Sequence, residues 1–359
     1  MSFLKHKIYG IIFKLFKNTK INNNQVTFII DSKESFKGNL DYIKKEFEKR
    51  GDFDFNFFYK DKLSLGNFKV LASSKYIFLN DNFFAMAFMK FKSDSIITQL
   101  WHAPGASKKF GGSVEVENRK ILKKISENTT YLITTSKNTI PYYSEAFQMG
   151  KNKIKALGLA RLDYYFENHD INQLKKNFYS KYNIDINKKI ILYAPTFREN
   201  SEYNNIFNYF NLKDFNDKLG KEYIIALRIH PKIKRFYPDS IKSDDYYVDV
   251  SDEESEQELM LISDMLITDY SSIMIEYGIL KKPIIFFTYD LDNYLETERG
   301  FYYDFKTTVP GPIVYNTDEL IDVIKKSDFD FDKIMSFTKT QFDKIDGQSS
   351  KRIADYVLK

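Results

Sequence analysis

The sequence predicts an α/β protein of two domains, each folded around a parallel sheet. Short apolar runs of strand length alternate with stretches of helical periodicity along most of the chain. Several of these runs end abruptly in polar or charged residues, the pattern of strands whose carboxyl ends face a ligand. The 359 residues, 43% of them hydrophobic, suffice for two cores of ordinary size.

From the N-terminus, Leu4, Ile8, Ile11, Ile12, Leu15 and Phe16 fall on one helical face, flanked by Lys5, Lys7, Lys14 and Lys17. Lysines break this run and no small-residue cleavage site follows, so residues 1–20 read as neither a spanning helix nor a signal peptide. The segment suits a helix lying in a membrane interface, or a helix docked on the first domain. Val26 to Ile30 is the first strand, and a helix is expected from about Asn39 to Arg50. Phe53 to Tyr59, Tyr76 to Asn80 and Ser95 to Leu100 are further strands, with a helical pattern at Ala85 to Lys90. The first half, residues 21–167, therefore looks Rossmann-like. It has no G-x-G-x-x-G, and the chain has no G-x-x-x-x-G-K-[ST], so neither a dinucleotide fingerprint nor a P-loop is present.

The strand ending at Leu100 runs into Trp101-His-Ala-Pro-Gly-Ala-Ser-Lys-Lys-Phe-Gly111. His102 is placed to take a proton from an attacking hydroxyl, although a histidine taken singly is more often structural. Trp101, Lys108 and Lys109 belong to the same loop, the lysines as phosphate-neutralising groups or as ordinary solvated ones. Tyr131 to Thr134 is the next strand, and Lys153 to Asp163 gives a strand, a glycine turn and the pair Arg161 and Asp163. Residues 168–187 are polar and rich in Asn and Lys, and read as a linker.

A second sheet begins at Ile190, within a domain spanning residues 188–330. Pro195 stops its first strand and delivers Thr196 and Arg198 to the carboxyl end. The next strand, Tyr223 to Leu227, ends in Arg228-Ile-His230-Pro231. A helix over Glu256 to Ser263 leads to Met265-Leu-Ile-Thr-Asp-Tyr-Ser-Ser-Ile-Met-Ile-Glu-Tyr-Gly278, which reads as a strand, a tight polar turn and a helix. Ser271 and Ser272 stand at that helix start, where unpaired amides and the dipole favour phosphate oxygens. No Glu or Gln follows three residues on, so no capping box competes for these amides. A serine that merely caps the helix is the plain alternative. Three successive strand tips thus carry Arg198, then Arg228 with His230, then Asp269 with the serine pair. After the strand Pro283 to Thr288, the acids of Asp290-Leu-Asp292 read as structural or nucleotide-contacting, and Arg299 lies in a rim punctuated by Gly and Pro. Residues 331–359 are expected to be helical.

Composition narrows the chemistry. A net charge of +5 favours anionic partners, while the absence of cysteine excludes disulfides, thiol catalysis and thiolate zinc sites. The 26 Tyr and 33 Phe are spread evenly, so they point to no site. No basic helix or aromatic-basic array suggests nucleic-acid binding.

Six segments in consistent order resemble the CDP-glycerol glycerophosphotransferases of teichoic acid and capsule synthesis. They are residues 99–111, 158–163, 192–198 (Leu-Tyr-Ala-Pro-Thr-Phe-Arg), 227–231 (Leu-Arg-Ile-His-Pro), 263–272 and 299–302 (Arg-Gly-Phe-Tyr). The resemblance implies a GT-B architecture, two Rossmann-like domains whose parallel sheets face a central cleft, with the donor held mainly by the C-terminal domain. It implies transfer of glycerol phosphate from CDP-glycerol to a hydroxyl of a lipid-linked or polymeric acceptor, with release of CMP. His102 and His230 would be the essential residues, with Thr196, Arg198, Arg228, Asp269, Ser271, Ser272 and Arg299 on the donor side. Trp101, Lys108 and Lys109 would lie on the acceptor side. It further implies a peripheral enzyme at the cytoplasmic membrane face, which favours the interfacial reading of residues 1–20. No cofactor is required, and a divalent metal is compatible but not implied. Alternatives are ribitol phosphate or another CDP-linked polyol phosphate, a GT-B glycosyltransferase or epimerase acting on a sugar nucleotide, and an inactive module that binds anionic polymer.

Overall fold

The computed structural model describes residues 3–62, 64–230, 232, 246–253 and 255–359. The chain divides into two compact units, one running to Phe166 and joined by Thr340–Lys359, the other spanning Glu167–Lys339.

The first unit is built on β1 (Asn22–Ile30), β2 (Asp54–Tyr59), β3 (Ser74–Leu79), β4 (Ile96–Gln99), β5 (Tyr131–Thr134) and β6 (Ile154–Ala156). They form one sheet in the order β2-β1-β3-β4-β5-β6, paired in parallel throughout. Parallel strands are covered on both faces, and β1 shows why its sequence is a continuous apolar run. Val26, Phe28 and Ile30 pack with Phe47 and Phe78 on one face, whereas Ile29 packs with Phe58, Phe68 and Ile77 on the other.

The helix Phe3–Leu15 docks on the first unit. Tyr9 and Phe13 are buried against the Ile29 side of the sheet, where Ile12 and Phe16 also pack, and the Tyr9 hydroxyl donates to the Lys60 carbonyl at 2.9 Å. Gly10 permits the close approach: a Cβ there would stand 2.4 Å from the Phe88 carbonyl oxygen. Leu4, Ile11 and Leu15 remain 66%, 67% and 70% exposed, forming with Ile8 an outward apolar stripe. The single stripe expected from the sequence is therefore split between two faces.

The second unit carries β7 (Lys189–Ala194), β8 (Tyr223–Leu227), β9 (Tyr247–Asp249), β10 (Met265–Thr268), β11 (Ile284–Phe287) and β12 (Ile313–Val314). Its order is β12-β11-β10-β7-β8-β9, again parallel throughout. Pro231, expected to end the pairing of β8, lies outside the described residues.

Two expectations about organisation change. The polar stretch 168–187 is not a bare linker, since it contains the helix Ile171–Tyr182, which belongs to the second unit. Asp170 accepts from the Gln173 amide and caps that helix, while Phe178 and Tyr179 are buried, so the Asn and Lys residues form only its solvent side. Residues 331–359 do not stand as one segment either. The helix Phe331–Gln341 carries the chain back into the first unit at Thr340, and the helix Ser349–Val357 packs there through Ile353, Ala354 and Val357. Its cap comes from far away in the chain. Asp163, 6% exposed, accepts from the amides of Ser349 and Ser350, each at 2.8 Å, and from the Ser350 hydroxyl at 2.5 Å. Asp163 thus has a structural task.

Candidate active site

In the first unit the functional side chains stand at the carboxyl ends of β3 and β4. The register pairs Leu79 with Gln99, so the residues that follow each strand become neighbours. His102 and Asp81 meet there, Nδ1 to Oδ1 at 2.7 Å, both about half exposed. Burial acts to raise the Asp81 carboxyl pKa. The hydrogen bond with His102, and the charges of His102 and Lys60, outweigh that effect and bring it below its ordinary value. Lys60, buried, pairs with Asp31 at 2.9 Å. Asp31, at the tip of β1, and Asp81, beyond β3, lie where the strand order reverses, the position at which open α/β sheets collect ligands.

The loop bearing His102 is strained and clamped. Trp101 has φ of 59°, the left-handed region, a conformation that costs a non-glycine residue about 1–3 kcal/mol. Two side chains impose it. The Trp101 amide donates to Gln99 Oε1 at 3.0 Å, and Asn39 Nδ2 donates to the Trp101 carbonyl at 2.7 Å. The indole lies tilted against the imidazole, centroids 4.2 Å apart and planes at 34°, and leans on Phe110 and Phe147. Further along, the Ala106 amide donates to Gln341 Oε1 at 3.0 Å, and Thr135 Oγ1 donates to the Gln341 carbonyl at 2.6 Å. The returning C-terminal segment therefore holds this loop too. Lys108 is half-buried and Lys109 exposed beyond it.

In the second unit the strand order reverses between β7 and β10. Thr196 and Arg198 follow β7, and Asp269 follows β10. Arg198 is 2% exposed. It clasps Asp290 through Nε at 2.9 Å and Nη2 at 3.0 Å, and reaches Asp269 through Nη1 at 2.5 Å. The rings of Tyr270 and Tyr289 each lie 5.1 Å from its guanidinium carbon. Burial acts against the Arg198 charge, but Asp269 and Asp290 outweigh it and hold the guanidinium protonated. Asp269 also accepts from the Thr196 amide, the Thr196 hydroxyl and the Tyr270 amide. Burial, reinforced by Asp290, pushes the Tyr270 phenol far up, and its hydroxyl donates to Asp290 at 2.9 Å. Arg198, Thr196 and Asp269 were expected to meet the donor. In the structure they join Asp290 in fastening three strand tips together, and every charge in the group is answered within the fold. Asp290 shares this structural role, while Asp292 is exposed and pairs with Lys306 at 3.1 Å.

That fastening fixes the polar turn. Ser271 and Ser272 are half-buried, and the helix that follows, Ile273–Tyr277, is one short turn continued by Gly278–Leu280. The Ser271 hydroxyl accepts from the Ile273 amide at 3.3 Å, while Ser272, at the N-cap, makes no side-chain capping bond. Beyond β8, Arg228 is half-buried and donates from Nη1 to the carbonyls of Val250 and Glu253 at 3.1 and 2.9 Å. His230 is exposed, and its Nδ1 accepts from the Lys232 amide at 3.2 Å. Arg299 is exposed on the rim. Among the described residues no cluster of three or more His, Asp or Glu is arranged to hold a metal ion.

The sequence matches the CDP-Glycerol:Poly(glycerophosphate) glycerophosphotransferase family over residues 11–359. The chain belongs to this family. Within it, a teichoic acid poly(ribitol-phosphate) polymerase of Bacillus spizizenii is 34% identical over 99% of this chain and 59% of its own length. A teichoic acid glycerol-phosphate transferase of Staphylococcus aureus is 34% identical over 73% of this chain and 70% of its own. The chain thus spans about three fifths of the length of that polymerase. Among solved structures, the wall teichoic acid polymerase TagF superposes with a TM-score of 0.82 at 24% identity, over 99% of this chain and 93% of that one, a likeness of fold.

For a glycerophosphotransferase family member the surprise lies at Asp81, Asn39 and Gln99. Asp81 and Asn39 lie outside the six segments that carried the resemblance, and Gln99, which opens the first of them, had no role attached. Asp81 left one signal in the sequence: it is a polar tip following the apolar run Tyr76–Leu79, the strand just before the one leading to His102.

Proposed function

We propose that this protein transfers a polyol phosphate from a CDP-linked donor to a hydroxyl of a lipid-linked or polymeric acceptor, releasing CMP, in teichoic acid or capsular polymer synthesis. The observation that carries the proposal is family membership across residues 11–359, with both histidines at strand ends. In this reading His102 takes the proton of the acceptor hydroxyl as its oxygen attacks the phosphorus next to the polyol. The bond from that phosphorus to the CMP oxygen breaks, and CMP leaves. Arg228 and His230 answer charge on the phosphoryl oxygens, with the Ser271–Ser272 turn and Arg299 holding the donor. Arg198, Thr196 and Asp269 act by fixing the turn. Trp101, Lys108 and Lys109 face the acceptor. Positioning and charge stabilisation suffice for such a transfer, so neither cofactor nor metal enters the proposal. The GT-B arrangement expected from the sequence is retained as part of it.

Glycerol is the polyol expected from the sequence, and a ribitol reading is favoured by the polymerase that matches nearly the whole chain. CMP release from CDP-glycerol, CDP-ribitol and UDP-glucose, assayed with lipid-linked acceptor and EDTA, separates the readings. Turnover of either CDP-polyol supports the proposal and names the donor. UDP release, or loss of turnover on chelation, would overturn the corresponding part.

The proposal places the enzyme at the cytoplasmic membrane face, held by the helix Phe3–Leu15. No helix among the described residues is long and apolar enough to cross a membrane, and the outward stripe of Leu4, Ile8, Ile11 and Leu15 beside Lys7 and Lys14 matches an anionic interface. Co-sedimentation with phosphatidylglycerol vesicles is expected to fall at least about tenfold in the double variant Ile11→Glu, Leu15→Glu. Unchanged binding would remove the helix from this role.

A further inference from the structure

We infer that Asp81 is the positioning residue of His102, holding the imidazole by a proton on Nδ1 and leaving Nε2 as the nitrogen that accepts one. The role in catalysis rests on the proposed transfer, but the geometry does not. An ionised carboxylate has no hydrogen to give, so at 2.7 Å the shared proton belongs to the ring nitrogen. Which ring nitrogen is protonated follows from the partner the other one meets. The parallel register of β3 and β4 brings the two residues together. The indole of Trp101 beneath the imidazole, and the backbone of Trp101 held by Asn39 and Gln99, keep the ring from swinging away.

The consequence for proton transfer is direct. When Nε2 takes the hydroxyl proton, the positive charge that appears on the ring is met across Nδ1 by the Asp81 carboxylate. Nothing else need move. His230 has the opposite arrangement, because its Nδ1 accepts an amide hydrogen from Lys232.

The test uses the full chain labelled with nitrogen-15 in histidine, with His102→Ala to assign the signals. Long-range proton–nitrogen correlation is expected to show His102 protonated at Nδ1 in the wild type and at Nε2 in Asp81→Asn, whose amide donates to Nδ1 instead. In steady state, Asp81→Asn is expected to lower kcat for CMP release by about 10²–10⁴-fold with the donor KM within about threefold. Asp81→Glu is expected to recover part of that loss. His102 protonated at Nε2 in the wild type, or a wild-type kcat in Asp81→Asn, would overturn the inference. Should the wild type release no CMP from any donor, the proposed function fails while the nitrogen spectra still decide the role of Asp81.

Discussion

Replacing Arg198 with methionine is expected to destabilise the second unit by about 3–5 kcal/mol, because it strands two buried carboxylates without their cation. Asp269 and Asp290 are each 5% exposed or less, so water cannot take over the lost partner. Arg198→Lys keeps the charge but cannot clasp Asp290 with two nitrogens while reaching Asp269, and is expected to fall between the two. Denaturant unfolding reads the effect. Were Arg198 a ligand of the donor phosphate, Arg198→Met would unfold near the wild-type midpoint and lose only donor binding. That pattern would reject the fastening role.

The second large effect is on turnover. His102→Ala is expected to lower CMP release by about 10²–10⁴-fold while leaving the unfolding midpoint nearly unchanged, since the imidazole is about half exposed and carries little of the core. His230→Ala is expected to lower turnover as well, by removing a donor to the phosphoryl oxygens. Separate kcat and KM values test the assignment. Loss of a base lowers kcat alone, so a pure rise in KM for the donor in His102→Ala would show that this residue binds rather than reacts.

The contrast between these residues explains what the sequence could reveal. Strand positions were legible because apolar runs stop sharply: Tyr131–Thr134 and Tyr223–Leu227 were read at their observed limits. His102 and His230 were legible because each follows such a run. The burial of Arg198 was not legible, for a physical reason. An arginine at a strand tip is ordinarily solvated, and its burial here depends on Asp290, 92 residues further along. Asp81 was missed because its neighbours Asn80 and Asn82 make it look like an ordinary turn, and only the pairing of β3 with β4 brings it to His102. The helix Ile171–Tyr182 was hidden by composition, since its few buried side chains are outnumbered by Asn and Lys. The return of the final residues to the first unit is a choice of tertiary partner, and Asp163 and Ser349 are too far apart for any periodicity to link them.

That return also sets an order of synthesis. The second unit is one continuous piece of chain, complete as soon as residue 339 has left the ribosome, whereas the first unit lacks Ile353, Ala354 and Val357 until the stretch after it has followed. Until then the side of the sheet that carries Val26 and Phe28 stays partly uncovered, and the loop with His102 lacks its anchor at Gln341. The unit begun earlier is completed after its neighbour, so a chain that stops short of Ile353 presents an apolar sheet face open to aggregation and to chaperones.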